Sequence, residues 1–355
     1  MIKKIKRLSI SSIAILLVLV VFGGIALVRT VRKDFYDLRS SEDGTIASVK
    51  RSAKTFSSDY EQLIPHERRM NTLLYYATGI FNSNHVIWGK DDWLFYSSTN
   101  SGDPIADYTG ANSYTEKELE TAKNNMLDIQ KTLNERNIQF CLLIPPNKEN
   151  VYAQYMPDKY QHTEKTRTDI LVEYLAENGV NAVNPKQALL DCDSQYRTYY
   201  KLDTHWNELG AYIGTREALR PFDLELPEAS SERIEEGDHT VSDLADMVGL
   251  TSVFPKDYGF RVSKYAHQEI DITKEEIGEM VHYHNDNATN KETLLLVGDS
   301  FRDSMIPVLE SIYSDFYIVH REDFQGDMLD KSNPDEVLLE IVERHSKYTM
   351  DFSIN

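Results

Sequence analysis

The chain has 355 residues, of which 41% are hydrophobic and 10% aromatic, with only two cysteines; this composition excludes intrinsic disorder, a collagen-like repeat and a disulfide-rich scaffold. The net charge is −19, but residues 1–33 hold seven basic side chains and no acidic one, which leaves −26 on the remainder. A body that acidic repels phosphate backbones, so nucleic-acid binding is disfavoured.

The N-terminal segment predicts a membrane anchor. Residues 8–28 form an uncharged run of 21 residues rich in Ile, Leu and Val, and about 20 apolar residues are enough for a helix to cross a bilayer. Four basic residues before the run favour a cytoplasmic N-terminus, although three basic residues after it weaken the contrast. We interpret residues 1–33 as an uncleaved signal-anchor, with a cleaved signal peptide as the alternative. Either interpretation predicts that residues 34–355 lie on the extracytoplasmic side of the cell membrane.

Residues 34–84 are predicted to be a polar, mostly helical juxtamembrane segment, and residues 85–355 an α/β domain. In that domain short apolar strands alternate with amphipathic helices, which is typical of a three-layer fold with a parallel sheet. The predicted elements are, in chain order, a strand pair over 86–96 with a turn at 89–92, a helix over 115–137, a strand over 139–144, a helix over 163–178, a strand over 181–183, an extended piece over 202–206, a helix over 207–219, a strand over 293–297, a helix from about 302 to 313, and strands over 316–319 and 337–342, of which the last could also be helical.

Residues 222–290 interrupt this alternation. They are polar and contain two helix-like stretches, 241–247 and 272–281. We interpret the region as an insertion or lid that forms one wall of a cleft.

A candidate nucleophile follows the most apolar strand. Residues 294–297 are Leu-Leu-Leu-Val, and Gly298, Asp299 and Ser300 come directly after them. A strand-to-helix turn at this point would expose the Ser300 hydroxyl at the carboxyl edge of the sheet, where α/β folds bind ligands. Free N–H groups at the start of the next helix could stabilise an oxyanion. The alternative is that Ser300 only caps that helix, which would leave the preceding Gly-Asp unexplained.

A candidate base and its orienting acid lie about 100 residues earlier. Asp203 and His205 are two residues apart, so in an extended segment their side chains share a face. The carboxylate could then hold one imidazole nitrogen and leave the other free to accept the serine proton. Trp206 would point the opposite way and fix the segment by packing. The alternative is a surface aspartate beside a structural histidine.

Asp-Thr-His-Trp at 203–206, followed by Gly-Asp-Ser-Phe at 298–301, resembles the SGNH-hydrolase-like proteins of polysaccharide O-acetylation, the AlgX/AlgJ-like and "DHHW" group. Three further segments agree in order: Gly-Lys-Asp-Asp-Trp-Leu-Phe at 89–95, Pro-Pro-Asn-Lys-Glu-Asn-Val-Tyr at 145–152 and Asp-Leu-Ala at 243–245. As in that group, the acid and the histidine precede the serine. The second position of the Asp-His-His-Trp pattern is Thr204 here, which we expect to be dispensable if only the acid and the second histidine are catalytic.

The resemblance implies an SGNH-hydrolase-like catalytic domain in which Ser300 accepts an acetyl group and passes it to a hydroxyl of a cell-surface or exported polysaccharide. His205 would be the base and Asp203 its orienting acid, without a cofactor or a metal. It also implies a multi-span membrane acyltransferase as the partner that supplies the acetyl group. Transfer to a sugar is favoured over hydrolysis, although the same triad serves both.

The oxyanion hole implied by the resemblance would use the Ser300 N–H and a second donor. Asn147 is a candidate, with a loop-turning asparagine after two prolines as the alternative. Lys148 is a candidate for contact with an acidic sugar, or else a solvated surface lysine. Arg302 and Arg321 are candidates for facing the cleft.

Two other classes of function stay open. His282 and His284, with Asp286 nearby, have a spacing that could hold a divalent ion, but the segment after them is loop-like and offers no clear fourth ligand. A non-catalytic polysaccharide-binding or assembly protein could keep the same fold, although an intact serine, histidine and aspartate weigh against it. The two thiols, Cys141 and Cys192, could be linked or free.

Overall fold

The computed structural model describes residues 68, 70–76, 78–81, 83–192, 194–239, 242–254, 256–265 and 272–354. The predicted signal-anchor and most of the juxtamembrane segment lie outside the described residues. In the part of the chain that is described, no helix has the length and apolar character needed to cross a membrane.

The chain divides into two compact units. The smaller one comprises residues 1–82 and 248–250, and in its described part residues 70–76 are helical. The larger one comprises residues 83–247 and 251–355 and contains the predicted catalytic residues.

The larger unit alternates helices and strands as the sequence predicts. Its helices are α1 (Pro104–Thr109), α2 (Glu116–Asn134), α3 (Lys148–Val151), α4 (Arg167–Glu177), α5 (Lys186–Leu190), α6 (Glu208–Leu219), α7 (Asp243–Met247), α8 (Ile306–Ile312) and α9 (Met328–Ser332). Its strands are β1 (Val86–Trp88), β2 (Leu94–Tyr96), β3 (Gln139–Leu143), β4 (Ala182–Val183), β5 (Ile234–His239), β6 (Asp257–Val262), β7 (Ile272–Ile277), β8 (Met280–Asn285), β9 (Asn290–Gly298), β10 (Tyr313–His320) and β11 (Glu336–Glu340).

The central sheet has seven strands in the order β4-β3-β11-β9-β10-β8-β7. The first five strands run parallel to one another. β8 pairs antiparallel with β10, and β7 pairs antiparallel with β8, so the sheet is mixed and the prediction of a parallel sheet is wrong at this edge. The helix predicted over 272–281 is also wrong. Gly278 and Glu279 form a two-residue turn in which Gly278 has φ +63°, and a glycine at the first position of such a turn is a hairpin signal that the helical interpretation overlooked.

Helices cover both faces of this sheet and produce two hydrophobic cores. Alternate residues of β9 face opposite cores: Leu294 and Leu296 pack with α6 and α8, whereas Leu295 and Val297 pack with α2 and α4. This arrangement confirms the three-layer α/β fold. Because β3, β11, β9 and β10 are parallel, their carboxyl ends meet at one edge of the sheet, which is where the predicted nucleophile lies.

Within the region 222–290, only part is separate from the central sheet. β5 and β6 pair as a separate two-stranded antiparallel sheet, while β7 and β8 extend the central sheet. A cavity of about 320 Å³ lies against this two-stranded sheet and α7, lined among others by His239, Ser242 and Asp257. The inserted region thus contributes a wall beside the loop that carries Asp203, and the remainder of it belongs to the sheet.

Candidate active site

The Gly-Asp-Ser turn places Ser300 in the open at the end of β9. The residue that caps the following 3-10 turn is Asp299, whose carboxylate accepts the Phe301 N–H at 3.1 Å and the Val342 N–H at 3.0 Å. Ser300 itself is exposed. The capping role considered for Ser300 therefore belongs to Asp299, and this explains why an aspartate precedes the serine.

Gly298 is required by close packing at the strand end. A Cβ atom there would lie 2.6 Å from Oε2 of Glu340, at the end of the neighbouring strand β11. That carboxyl is fully buried and accepts the Asp299 N–H at 2.9 Å. Burial, followed by the charge of Asp299, raises the pKa of Glu340 well above its usual value.

The segment 202–206 is a bent loop rather than the predicted extended piece. Asp203 and His205 nevertheless meet, because the Asp203 carboxylate turns back to accept the His205 backbone N–H at 3.0 Å. The prediction that Asp203 and His205 lie side by side is confirmed, but not for the reason given. A local hydrogen bond between a side chain and the backbone brings them together, rather than the alternation of side chains along a strand.

Ser300, His205 and Asp203 form a continuous hydrogen-bonded chain. His205 Nε2 lies 2.7 Å from Ser300 Oγ, and His205 Nδ1 lies 2.7 Å from Asp203 Oδ1. Asp203 is 2% exposed, whereas Ser300 is open to solvent. A buried acid, a central imidazole and an accessible hydroxyl have the order that a serine nucleophile requires.

The local charges favour a basic imidazole. Burial by itself lowers the pKa of His205, but the hydrogen bond that His205 donates to Asp203 and the charges of Asp203 and Asp243 outweigh burial and raise that pKa. Burial raises the pKa of Asp203, yet bonds from His205 and His239 reverse the sign and hold it far below its usual range. Asp203 is therefore ionised in the folded protein near neutral pH.

Two residues next to the triad were missed as functional candidates by sequence reasoning. Asp243, at the start of α7, lies 3.8 Å from His205 Nδ1, and its backbone N–H donates to Asp203 at 3.1 Å. His239, on β5, lies 3.3 Å from the second oxygen of Asp203 and stacks on Tyr200. The Asp-Leu-Ala segment was a signal for Asp243; no pattern in the sequence marked His239.

Thr204 has a contact that the expectation of dispensability did not foresee. Its hydroxyl donates to Asp243 Oδ2 at 2.5 Å, and its backbone N–H donates to Asp243 Oδ1 at 2.8 Å. Thr204 therefore ties α7 to the loop that carries Asp203 and His205.

Trp206 connects two parts of the site: the loop over 200–206 that carries Asp203 and His205 (the base loop), and the turn over 298–301 that carries Ser300 (the nucleophile turn). Its indole N–H donates to the Phe301 carbonyl at 2.8 Å, and its ring is fully buried. A Cβ on Gly214 of α6 would lie 2.5 Å from that ring, so the glycine provides the space that the indole occupies. The predicted packing role of Trp206 is confirmed.

Asn147 and Lys148 follow β3 at the same edge of the sheet. Asn147 is 2% exposed and, among the described residues, its side-chain amide has no hydrogen-bond partner. Lys148 is buried rather than solvated, and its amino group donates to three carbonyls, those of Tyr200, Lys201 and Asp203. Burial lowers the pKa of Lys148 to about 8. In this position Lys148 braces the base loop and is not available at the surface for a sugar.

The two predicted arginines differ in their surroundings. Arg302 is held against the strand end, where its guanidinium donates to the Asp299 carbonyl at 2.7 Å. Arg321 stacks on Tyr348 and lines a shallow cavity of about 450 Å³. The cavity is also lined by Arg167, Arg344 and Lys347, with Asp351 as its acidic residue. Arg344 also lies over the Phe301 ring, so this basic cavity borders the nucleophile turn.

Two clusters among the described residues bring together groups that could hold a metal ion. One consists of Asp203, His205 and Asp243, where the free nitrogen of the imidazole already contacts Ser300. The other consists of His282, His284 and Asp315. Cys141 and Cys192 are not linked to each other.

Known structures share this fold. Bacillus cereus PatB1 with a sulfonyl adduct aligns with a TM-score of 0.54 at 14% identity, covering 77% of this chain and 98% of that one. A DHHW family protein from Eubacterium siraeum aligns with a TM-score of 0.52 at 14% identity, covering 76% of this chain and 96% of that one.

No curated protein sequence matches the chain. The family model "SGNH hydrolase-like domain, acetyltransferase AlgX" matches residues 86–307, a range that contains Asp203, His205 and Ser300. That match covers more than half of the chain and agrees with the resemblance carried by the motifs. The chain therefore belongs to the AlgX family of SGNH hydrolase-like acetyltransferase domains.

Proposed function

We propose that this chain is a membrane-tethered O-acetyltransferase that acetylates a cell-surface or exported polysaccharide through an acetyl-enzyme on Ser300. The observation that carries the proposal is the 2.7 Å contact of His205 Nε2 with the exposed Ser300 hydroxyl, backed by the 2.7 Å contact of His205 with Asp203. Family membership supplies the acetyl group as the transferred unit.

The reaction divides into two half-reactions with one base. His205 Nε2 removes the proton from Ser300 Oγ as that oxygen attacks the acetyl carbonyl of the donor. The tetrahedral intermediate collapses, the donor's oxygen leaves with the proton from His205, and the acetyl ester of Ser300 remains. A sugar hydroxyl then loses its proton to His205 and attacks the ester carbonyl. The second tetrahedral intermediate collapses with cleavage of the bond to Ser300 Oγ, which takes the proton back from His205, and the acetyl group leaves on the sugar. Asp203 stabilises the imidazolium in both halves.

The oxyanion of each intermediate needs two donors. The backbone N–H of Ser300, at the start of the 3-10 turn, is the first. We assign the second to the Asn147 side chain, since a buried amide without a partner is costly and a ligand oxygen would satisfy it.

The acceptor is proposed to carry carboxylate or phosphate groups. Arg321, Arg344 and Lys347 line the cavity that borders the nucleophile turn, and the rest of the chain has a large negative charge that would repel such a polymer. These basic side chains would attract an acidic glycan and orient it so that one of its hydroxyls lies near Ser300. The acetyl donor is proposed to come from a multi-span membrane acyltransferase, because acetyl groups must be exported to reach an extracytoplasmic site.

The test compares the purified full chain with Ser300→Ala and with Ser304→Ala, a matched change in the same 3-10 turn. Each is incubated with a chromogenic acetyl ester, with and without a soluble acidic oligosaccharide. We expect Ser300→Ala to lose at least about 100-fold of the ester turnover and Ser304→Ala to keep it. Acetyl groups found on the oligosaccharide identify a transferase, and release to water alone identifies an esterase. Equal, negligible turnover in folded wild type and Ser300→Ala would overturn the proposal in favour of a non-catalytic assembly role.

A further inference from the structure

The second cluster lies at the opposite end of β10 from the active site. His282 and His284 are two apart on β8, so their side chains share one face of the sheet. Asp315 on β10 is the register partner of His284. By contrast, the residue of β10 that pairs with Gly298, next to the nucleophile, is His320 at the other end of the strand. The cluster is therefore separate from the Ser300 site.

Both imidazoles converge on one carboxylate. His282 Nε2 lies 2.8 Å and His284 Nδ1 lies 3.0 Å from Asp315 Oδ1, and all three ligand atoms lie within 4.8 Å of one another. Ligands of a tetrahedral zinc ion, with bonds of about 2.0–2.1 Å, stand about 3.3 Å apart. Small side-chain rotations would thus bring the three atoms around a single ion.

Neighbouring side chains contact both rings of the cluster. His284 offers Nδ1 to the cluster while its Nε2 lies 3.2 Å from Asp286, and a carboxylate on the far nitrogen of a ligating histidine is the usual support in zinc sites. His282 stacks on Tyr317 with ring centroids 4.2 Å apart and planes 7° apart. In this arrangement His282 Nε2 and His284 Nδ1 face Asp315, and the contacts with Tyr317 and Asp286 favour these ring orientations.

We propose that His282, His284 and Asp315 bind a divalent transition-metal ion of the zinc type, with Asp286 supporting His284 and water completing the coordination. This assignment goes beyond the acetyl-transfer function. The sequence suggested Asp286 as the third ligand, whereas the fold supplies Asp315 from a strand 31 residues away and leaves Asp286 in the supporting position. Two neutral imidazoles and two carboxylates also balance the charge of a divalent cation.

The position of the site defines its role. β8 pairs antiparallel with β10, the last of the parallel strands, and the site joins the two strands, with His284 on β8 and Asp315 opposite it on β10. An ion shared by β8 and β10 would fasten the β7–β8 hairpin to the parallel strands. We therefore assign the metal a structural function at this edge of the sheet.

The test is calorimetric titration of the chelator-treated full chain with Zn²⁺. We expect one equivalent to bind, with an affinity that falls at least tenfold in His284→Ala and in His282→Ala, and by roughly 10- to 100-fold in Asp286→Asn, the supporting residue. The controls are His320→Ala, on the same strand as Asp315, and His205→Ala, in the other cluster; both should bind as the wild type does.

A second readout separates binding from misfolding. Saturating Zn²⁺ should raise the Tm of the wild type and of Ser300→Ala but not of the double variant His282→Ala/His284→Ala, whose Tm without metal should match that of the metal-free wild type within a few degrees. An equivalent of Zn²⁺ that survives the double substitution, or no saturable binding to the wild type, would overturn the site. Neither result bears on the ester turnover of Ser300, so the two proposals fail independently.

Discussion

The carboxylate of Asp243 lies 3.8 Å from His205 Nδ1, the same ring nitrogen that Asp203 holds at 2.7 Å. Two carboxylates therefore lie next to the His205 imidazole, and only that of Asp203 is hydrogen-bonded to it. Burial, followed by the charge of Asp203, raises the pKa of Asp243, as expected for two carboxylates that share one site.

Replacing Asp243 by Asn should move the pH profile of the enzyme. Because the charge of Asp243 helps to raise the pKa of His205, its removal lowers that pKa. His205 acts as a base only when neutral, so the acidic limb of kcat/KM should shift to lower pH, with the plateau within about tenfold of wild type. Initial rates with an acetyl ester from pH 5 to 9 measure this. Asp330→Asn, an exposed change far from the site, is the control; an unmoved limb in Asp243→Asn would contradict the role of the second acid.

Replacing Thr204 by Val should lower both the stability of the protein and its activity, because Thr204 holds the base loop to α7. This contradicts the expectation from the motif that the position is dispensable. Valine keeps the branched shape but loses the hydroxyl that donates to Asp243 at 2.5 Å, and an acceptor left without its partner costs about 1–3 kcal/mol. Urea unfolding gives the loss of stability and ester turnover gives the loss of activity. Thr204→Ser, which keeps the hydroxyl, should restore both. If Val and Ser behave alike, the contact has no energetic weight.

Replacing Trp206 by Phe should weaken the connection between the base loop and the nucleophile turn. Phenylalanine fills part of the same pocket but cannot donate to the Phe301 carbonyl, so we expect a loss of about 1–3 kcal/mol in the free energy of unfolding. The reference is Trp88→Phe, which removes an exposed indole contact to Asp92 at 3.3 Å and should cost less than about 1 kcal/mol. Equal losses in both variants would argue against a special role for the Trp206 bond.

Replacing Gly298 by Ala should damage both folding and catalysis. The new methyl group would lie 2.6 Å from the Glu340 carboxyl, and overpacking of this kind costs about 1–3 kcal/mol. The turn that carries Ser300 must shift to relieve it, so turnover should fall as well. In Gly237→Ala the nearest atoms are 3.8 Å away, and that variant should be as stable as wild type. A fully active Gly298→Ala enzyme would show that the close approach is not required.

The parts of the fold that the sequence predicts well are those in which local pattern and tertiary packing agree. The helix over 115–137 and the strands around 139–144 and 293–297 were predictable, because each buries a continuous or periodic apolar face. The β7–β8 hairpin was missed for the opposite reason. Ile272–Ile277 is mostly exposed at the sheet edge, so its polar residues do not alternate with buried ones and resemble a helical surface.

The candidate site was predictable as far as its motifs extend. Asp203, His205 and Ser300 were identified from two short segments, and the structure brings them together. His239 and Asp315 could not be, because each reaches its cluster through strand pairing that only the folded sheet specifies. Lys148 was misjudged because a lysine is rarely buried; here three backbone carbonyls of the base loop replace water around its amino group.

The measurement that tests the central claim most directly is peptide mass spectrometry of the full chain, quenched in acid after brief exposure to an acetyl ester. The proposed mechanism predicts a mass increase of about 42 Da, one acetyl group, on the peptide that contains Ser300. His205→Ala should fail to form this adduct at a comparable rate, and addition of an acceptor sugar should discharge it from the wild type. An acetyl group on another residue, or turnover with no adduct at Ser300 under conditions that trap the intermediate, would contradict the claim that Ser300 is the nucleophile.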